Sequence, residues 1–134
     1  MSTRQALGRA GEARAAAYLQ AQGLTIRETG WRPTGTALAP LLRGELDLVA
    51  LDGATLVFVE VRSRRGAPGA AEESVTPAKR RQLLALAQAY LVTHDLTDDQ
   101  VAWRVDVVAL HFGAGRPTPT ITWLPGAVEA EDGA

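Results

Sequence analysis

Residues 44–62 constrain the fold of this chain more than any other stretch. Valine, leucine and phenylalanine recur in residues 46–51 and in residues 56–61. The pair Asp52-Gly53 between these runs can supply the positive φ angles that a two-residue type I′ turn needs. The stretch therefore predicts an antiparallel β-hairpin, around which the rest of the chain is organised.

The turn also predicts a register for the two strands. If Leu51 pairs with Ala54, then Glu45 lies opposite Glu60, and Asp47 is a diagonal neighbour of Glu60. A one-residue bulge at the turn would move Asp47 to the other face of the hairpin, so the predicted geometry depends on this register.

The predicted hairpin gathers charged side chains on one face. Side chains alternate between the two faces of a strand, and one predicted face carries Glu45, Asp47, Glu60 and Arg62. Three acids at this spacing repel one another, and a bound divalent cation would remove the conflict. The alternative is an ordinary solvated hairpin face on which Arg62 pairs with Glu60 or Glu45.

The composition restricts the class of protein. A chain of 134 residues fits one domain with a real core. The absence of cysteine excludes disulfides and thiolate metal sites, and it suits a reducing, cytoplasmic location. The N-terminal residues lack the apolar core of a signal peptide and no run is long enough to cross a bilayer, so no membrane partner is expected.

The net charge of −1 argues against a global basic field that would attract nucleic acid. A local basic cluster does follow the hairpin: Arg62, Arg64, Arg65, Lys79, Arg80 and Arg81. We favour phosphate contact by this cluster, with Arg64, Arg65, Lys79 and Arg80 as the predicted nucleic-acid-binding residues. A solvated loop and helix end is the alternative.

The first half of the chain reads as a helix, a strand and a loop. Helical spacing predicts a helix from about residue 4 to residue 22, with Gly23 as its C-cap. Gly8 and Gly11 within it would let another element approach the backbone closely. The alternation of apolar and polar residues predicts a strand over residues 24–29. Residues 33–43 read as a loop before the hairpin.

The second half begins with residues 66–74, which show no regular pattern. Thr76 as N-cap and Pro77 at the first helical position then predict a second long helix, which reaches about residue 92. In residues 101–112, apolar residues occupy both odd and even positions, which predicts a strand buried on both faces. Residues 120–124 predict a short edge strand, and residues 125–134 a disordered tail.

These elements predict a single α/β domain over residues 1–124, in the order α-β-β-β-α-β plus an edge strand. The step from the hairpin through the second helix to the next strand is a β-α-β crossover, which is expected to be parallel and right-handed. The predicted fold is therefore a mixed central sheet flanked by helices.

The acidic face also suggests a chemistry. Carboxylate oxygens with water access suit Mg²⁺ or Mn²⁺. A metal ion held by Asp47 and Glu60 would lower the pKa of a bound water and polarise a phosphoryl oxygen, while a neighbouring cation would stabilise the developing charge. Phosphodiester hydrolysis is the reaction that this arrangement predicts.

Over most of its length the chain closely resembles the YraN-like family of functionally uncharacterised bacterial proteins. The resemblance is carried by GRAGE at residues 8–12, GELDLVA at residues 44–50, VFVEVRSR at residues 57–64 and RVDVV at residues 104–108. That family is similar to the PD-(D/E)XK nuclease superfamily, which implies a restriction-endonuclease-like core and a fold similar to archaeal Holliday-junction resolvases.

The resemblance implies roles for individual residues. Asp47 matches the metal-binding aspartate of the superfamily, Glu60 matches the acid of its E-x-K motif, and Glu12 matches a first-helix acid that contributes to the metal shell. Lys79 would face the substrate phosphate. Arg62 stands where the superfamily has lysine; because arginine does not deprotonate in proteins, it can stabilise an anion or position water but cannot act as a base.

These inferences support two main hypotheses. The first is a Mg²⁺- or Mn²⁺-dependent endonuclease acting on branched or junction DNA, with Asp47, Glu60 and Arg62 as catalytic residues; a homodimer would match the two-fold symmetry of a junction. The second is a catalytically silent nucleic-acid-binding or scaffold protein that keeps the nuclease fold. A third, weaker hypothesis is a protein-interaction module whose acidic face meets a basic partner.

Overall fold

The computed structural model of the chain describes residues 3–33, 42–65 and 70–129. Within these ranges the elements are α1 (Thr3–Ala21), β1 (Thr25–Trp31), β2 (Leu46–Asp52), β3 (Thr55–Arg65), α2 (Ala70–Glu73), α3 (Pro77–Thr93), β4 (Trp103–Phe112) and β5 (Thr120–Val128). Two long helices and the strands thus follow the predicted order. No helix within the described ranges is both long and apolar enough to cross a membrane.

The strands form one five-stranded mixed sheet. Their order in space is β1-β2-β3-β4-β5, the same as in the sequence. Strands β3 and β4 are parallel, and the other neighbouring pairs are antiparallel. The parallel pairing confirms the prediction from the β-α-β crossover, because the chain passes through α3 between β3 and β4.

An apolar core lies on each face of the sheet. On one face Leu19 of α1 packs with Val57 and Val59 of β3. On the other face Leu83 of α3 packs in a cluster with Phe58. Because neighbouring residues of β3 point to opposite cores, this strand is buried between the two helices.

The start of α3 follows the predicted capping pattern. The Thr76 side chain accepts a hydrogen bond from the backbone N–H of Lys79 at 3.2 Å, and Pro77 is the first helical residue. This cap fixes the residue at which α3 begins and so places Lys79 in the first helical turn.

The predicted register of the hairpin is wrong by two residues. Leu51 pairs with Leu56 instead of Ala54, so the turn consists of Gly53 and Ala54. Gly53 has a φ of 60° whereas Ala54 does not have a positive φ, which is the pattern of a type II′ turn instead of type I′. Because a shift of two residues keeps every side chain on its face, the predicted grouping of the acids survives the error.

The C-terminal strand is longer than predicted. Strand β5 reaches Val128, so residues 125–128 belong to the sheet although the sequence placed them in a tail. The β4–β5 pairing shifts register between Val105 and Val107, at the level where Pro125 and Gly126 lie in the partner strand. An irregular pairing of this kind accommodates proline in an edge strand. Residues 130–134 lie outside the described residues.

The segment predicted to be irregular after β3 contains the short helix α2. Four residues form it, which is too few for a helical period to be recognised in the sequence. Residues 66–69 of the same segment, and residues 34–41 of the predicted loop before the hairpin, lie outside the described residues.

Asp106 of β4 is a fully buried carboxylate that joins three parts of the fold. It accepts hydrogen bonds from Arg104 Nε at 3.0 Å, from Trp123 Nε1 at 3.0 Å and from the backbone N–H of Gly126 at 2.8 Å. Arg104 also donates to Asp52 at the end of β2, at 3.0 Å. The buried charge is therefore neutralised and hydrogen-bonded by groups from its own strand and from β5.

We expect Asp106→Asn to destabilise the protein by about 3–5 kcal/mol, because it leaves Arg104 without its buried partner and turns an amide N–H₂ toward donors. Urea unfolding measures the effect. Asp52→Asn is the matched control, since it removes the other, half-exposed carboxylate from Arg104 and should cost less than about 1 kcal/mol. Equal losses in the two variants would contradict the structural role of Asp106.

Candidate metal and nucleic-acid site

The candidate site begins where β2 and β3 separate. Backbone pairing between these strands runs from the turn to the pair Leu48–Val59. Beyond that pair, the Asp47 carboxylate accepts a hydrogen bond from the backbone N–H of Val61 at 2.8 Å. A side-chain oxygen thus replaces a strand carbonyl, and this hydrogen bond fixes the Asp47 carboxylate against β3.

Glu60 lies beside Asp47 and is almost completely buried, with 2% of its surface exposed. Its Oε2 lies 3.1 Å from Nη1 of Arg62 and 3.6 Å from Nζ of Lys79. A carboxylate this deeply buried needs compensating charge or hydrogen bonds, and two cations from β3 and α3 provide it.

The Arg62 guanidinium is held between Glu60 and the turn after α2. Its Nε donates to Ser74 Oγ at 2.8 Å, and its Nη2 donates to the Ser74 carbonyl at 3.4 Å. The predicted alternative in which Arg62 pairs with Glu60 is therefore observed, but the acid is buried and not part of a solvated face. Sequence reasoning missed Ser74, because no local pattern marks a partner twelve residues away in an irregular segment.

Two further carboxylates, from different elements, converge on Asp47. One oxygen each of Glu12 in α1, Glu45 before β2 and Asp47 in β2 lie within 4.8 Å of one another. We call these residues together with Glu60 the acid cluster. Glu45 was placed on the acidic face by the sequence but not among the predicted metal ligands Asp47, Glu60 and Glu12. The structure brings it next to two of them, and it also accepts a hydrogen bond from Arg32 at 3.1 Å.

The acid cluster holds more negative charge than its surroundings compensate. Burial and the neighbouring charge of Glu60 raise the pKa of Asp47 far above its usual range, and a hydrogen bond with Glu60 and the charge of Glu12 add to this, whereas the Val61 N–H opposes it. Burial and the charges of Glu45 and Glu60 also raise the pKa of Glu12. Such a cluster favours either a bound proton or a bound cation.

The predicted nucleic-acid-binding residues differ in their positions. Lys79 reaches the acid cluster through its contact with Glu60. Arg64 donates to the Ser63 carbonyl at 2.7 Å, and Arg65 is exposed at the end of β3. Arg80 donates to the carbonyl of Ala127 at 2.7 Å, so it joins the start of α3 to the end of β5. Phosphate contact by these residues stays a prediction.

We expect Asp47→Asn to stabilise the metal-free protein at pH 8 by about 2 kcal/mol, because ionising this half-buried acid beside Glu60 opposes folding. The folded-state pKa is raised, so the wild-type protein loses stability as pH rises from the ordinary aspartate value of about 4 toward about 9. The difference between the two proteins should therefore vanish toward pH 4. Urea unfolding with chelator at pH 4, 6 and 8 measures it.

Asp99→Asn is the control for this experiment. Asp99 is exposed in the turn after α3, and its substitution should change the free energy of unfolding by less than about 0.5 kcal/mol at each pH. An Asp47→Asn protein that is less stable than the wild type at pH 8 would contradict the charge excess of the acid cluster.

Comparison with known proteins places the chain in a family. The model of "Uncharacterised protein family UPF0102" matches residues 11–110. A UPF0102 protein of Roseiflexus castenholzii is 44% identical over 127 residues, which cover 94% of this chain and 95% of the relative. A UPF0102 protein of Anaeromyxobacter dehalogenans is 47% identical over 129 residues, which cover 96% of this chain and 87% of the relative. The chain therefore belongs to the uncharacterised family UPF0102, which is the YraN-like family that its motifs predict.

Proposed function

We propose that this protein is a Mg²⁺- or Mn²⁺-dependent nuclease that hydrolyses DNA phosphodiester bonds at the acid cluster. The observation that carries the proposal is the convergence of the Glu12, Glu45 and Asp47 carboxylates, whose oxygens lie within 4.8 Å of one another. Repulsion from Glu60 and Glu12 helps to raise the pKa of Asp47. A divalent cation would relieve this repulsion. Membership of the PD-(D/E)XK superfamily and a cytoplasmic location are parts of the same proposal.

The donor set fits a hard cation. Glu12, Glu45 and Asp47 each offer a carboxylate oxygen within the span of one coordination sphere, and Glu60 adjoins Asp47. Mg²⁺ and Mn²⁺ prefer oxygen ligands, and Mg²⁺ usually keeps several waters. When bound, such an ion would lower the pKa of a water and polarise a phosphoryl oxygen.

The two cations beside Glu60 have different chemical capacities. Arg62 keeps its charge and is fixed by Glu60 and Ser74, so its role is to stabilise or position an anion. Lys79 makes a longer contact of 3.6 Å with Glu60, and its three rotatable donors can turn toward a phosphate. Arg64, Arg65 and Arg80 complete the proposed nucleic-acid contacts. Branched or junction DNA bound by a homodimer is the proposed substrate and assembly.

Arg62 is also the observation that favours a second candidate function. It occupies the position of the lysine in the E-x-K motif and cannot deprotonate, and its guanidinium is engaged with Glu60 and Ser74. A protein with this arrangement can bind a phosphate backbone without cleaving it. The second candidate is therefore a catalytically silent nucleic-acid-binding or scaffold protein.

We expect the purified protein to cut branched or flap DNA in the presence of Mn²⁺, and we expect Asp47→Asn and Glu60→Gln each to reduce the rate about 10²-fold or more, because they remove charged ligands and transition-state stabilisation. Gel analysis of end-labelled junction, flap and linear duplexes measures the cleavage. Asp99→Asn is the control and should cut at the wild-type rate. Cutting that survives in both cluster variants would rule out this site.

A binding experiment separates the two candidate functions. Lys79→Ala should weaken DNA binding and lower the slope of log affinity against log salt by about 1, because one phosphate contact is lost. Arg27→Ala, which removes an exposed arginine of β1 outside the basic cluster, is the control. Binding titrations by fluorescence anisotropy are repeated with Ca²⁺ and with chelator.

The nuclease proposal expects DNA affinity to rise with the divalent cation, since the acid cluster otherwise repels phosphate. The silent-binder proposal expects affinity to be the same with Ca²⁺ and with chelator. Affinity that is equal under both conditions, together with no cleavage in Mn²⁺, would decide for the second candidate.

A further inference from the structure

Helix α1 crosses β3 closely at Gly11, where a Cβ atom would overlap a side chain of the strand. Gly11 is buried, and a Cβ atom built on it would overlap Ser63 Oγ and lie 3.2 Å from Ser63 Cβ. It would also lie 3.8 Å from a methyl group of Val61. The backbone of α1 therefore rests directly on the side chains of β3.

The buried face of α1 carries its smallest residue at this contact. Gly11, Ala15 and Leu19 follow one another at intervals of four residues, and all three are buried. Their side chains grow from none to methyl to isobutyl along this face. Small residues thus allow a close approach at Gly11, which directly precedes Glu12.

Gly8, one turn earlier, lies in a different environment. A Cβ atom on Gly8 would meet no atom within 4 Å. Both glycines lower helix propensity, but only the one at position 11 is required by contact with another element. The two positions thus form an internal comparison within one helix.

The close approach coincides with the acid cluster. Glu12 follows Gly11 directly, and its carboxylate lies within 4.8 Å of the oxygens of Glu45 and Asp47. Val61, which touches the Gly11 position, is also the residue whose N–H holds the Asp47 carboxylate. The contact between α1 and β3 at Gly11 and the hydrogen bond that fixes Asp47 therefore both involve residues 61–63 of β3.

We propose that Gly11 is a positioning residue for the metal site: by letting α1 rest on Ser63, it brings the Glu12 carboxylate within coordinating distance of Asp47 and Glu45. This inference rests on the proposed metal-binding function. A larger residue at position 11 displaces Glu12 from the cluster while leaving every carboxylate in the chain.

The test compares Mn²⁺ binding by the wild type, Gly11→Ala, Gly8→Ala and the double variant Gly11→Ala/Ser63→Ala, using the full chain. Calorimetry or the electron paramagnetic resonance of free Mn²⁺ gives the affinity, and thermal unfolding without metal gives the stability. We expect Gly11→Ala to bind Mn²⁺ about 10- to 100-fold more weakly, as for other groups that orient metal ligands. Gly8→Ala should bind like the wild type and melt at a slightly higher temperature.

The double variant should recover Mn²⁺ affinity, because it removes the oxygen that the new methyl group overlaps. A Gly11→Ala protein that melts at a lower temperature but, when folded, binds Mn²⁺ as the wild type does would show a merely structural role and overturn the inference. If Gly11→Ala does not fold, the double variant decides: wild-type affinity supports the inference, and weak binding or failure to fold overturns it. A wild-type protein that binds no Mn²⁺ would overturn the proposed function itself, and this inference with it.

Discussion

The separation of β2 from β3 at Asp47 is the constraint on which the site depends. From the turn to the pair Leu48–Val59 the two strands are joined by backbone pairing. At the next position the Asp47 carboxylate accepts a hydrogen bond from the backbone N–H of Val61. A carboxylate held in this way has little freedom to move toward solvent. The sheet therefore holds the Asp47 carboxylate close to that of Glu60. The repulsion between the two carboxylates must be compensated by surrounding residues.

The negative charges of Asp106, Glu60 and Asp47 are compensated by neighbouring groups to different degrees. Asp106 is neutralised by Arg104 and receives further hydrogen bonds from β5, which is the arrangement of a structural carboxylate. Glu60 is compensated by two cations. Among the described residues, in contrast, the contacts that act on Asp47 are one backbone N–H and the neighbouring acids. The least compensated of the three is the one that adjoins Glu12 and Glu45, which is why the acid cluster, and not Asp106, is the candidate for cation binding.

Periodicity predicted the faces of the hairpin but could not predict its register. The sequence Asp52-Gly53-Ala54 allows a type I′ turn with Asp52 and Gly53 at its centre, or a type II′ turn with Gly53 and Ala54. The structure has the second turn, and Asp52 remains in β2 where Arg104 of β4 binds it. That contact spans fifty-two residues, so it leaves no local signal in the sequence. Side-chain faces survived the error only because the shift was even.

The partners of the site residues were harder to predict than the residues themselves. Asp47, Glu60 and Glu12 stand in patterned segments, so their elements could be assigned. Ser74, which holds Arg62, lies between a four-residue helix and the cap of α3, where neither helical nor strand periodicity applies. Contacts of this kind depend on how segments without a pattern pack together, and composition and spacing carry no information about it.

Two cations of different chemistry, Arg62 of β3 and Lys79 of α3, contact the Glu60 carboxylate. Arg62 is in the strand and makes a fixed pair with the acid, since its planar guanidinium also reaches Ser74 with two nitrogens. Lys79 lies in the first turn of α3, which begins at the Thr76 cap, and its contact with Glu60 is longer. The guanidinium of Arg62 therefore compensates the buried charge of Glu60 permanently, and the more flexible Lys79 side chain lies at the edge of the acid cluster. The same carboxylate oxygen of Glu60 thus has a planar guanidinium from the strand at 3.1 Å and a compact ammonium group from the helix at 3.6 Å.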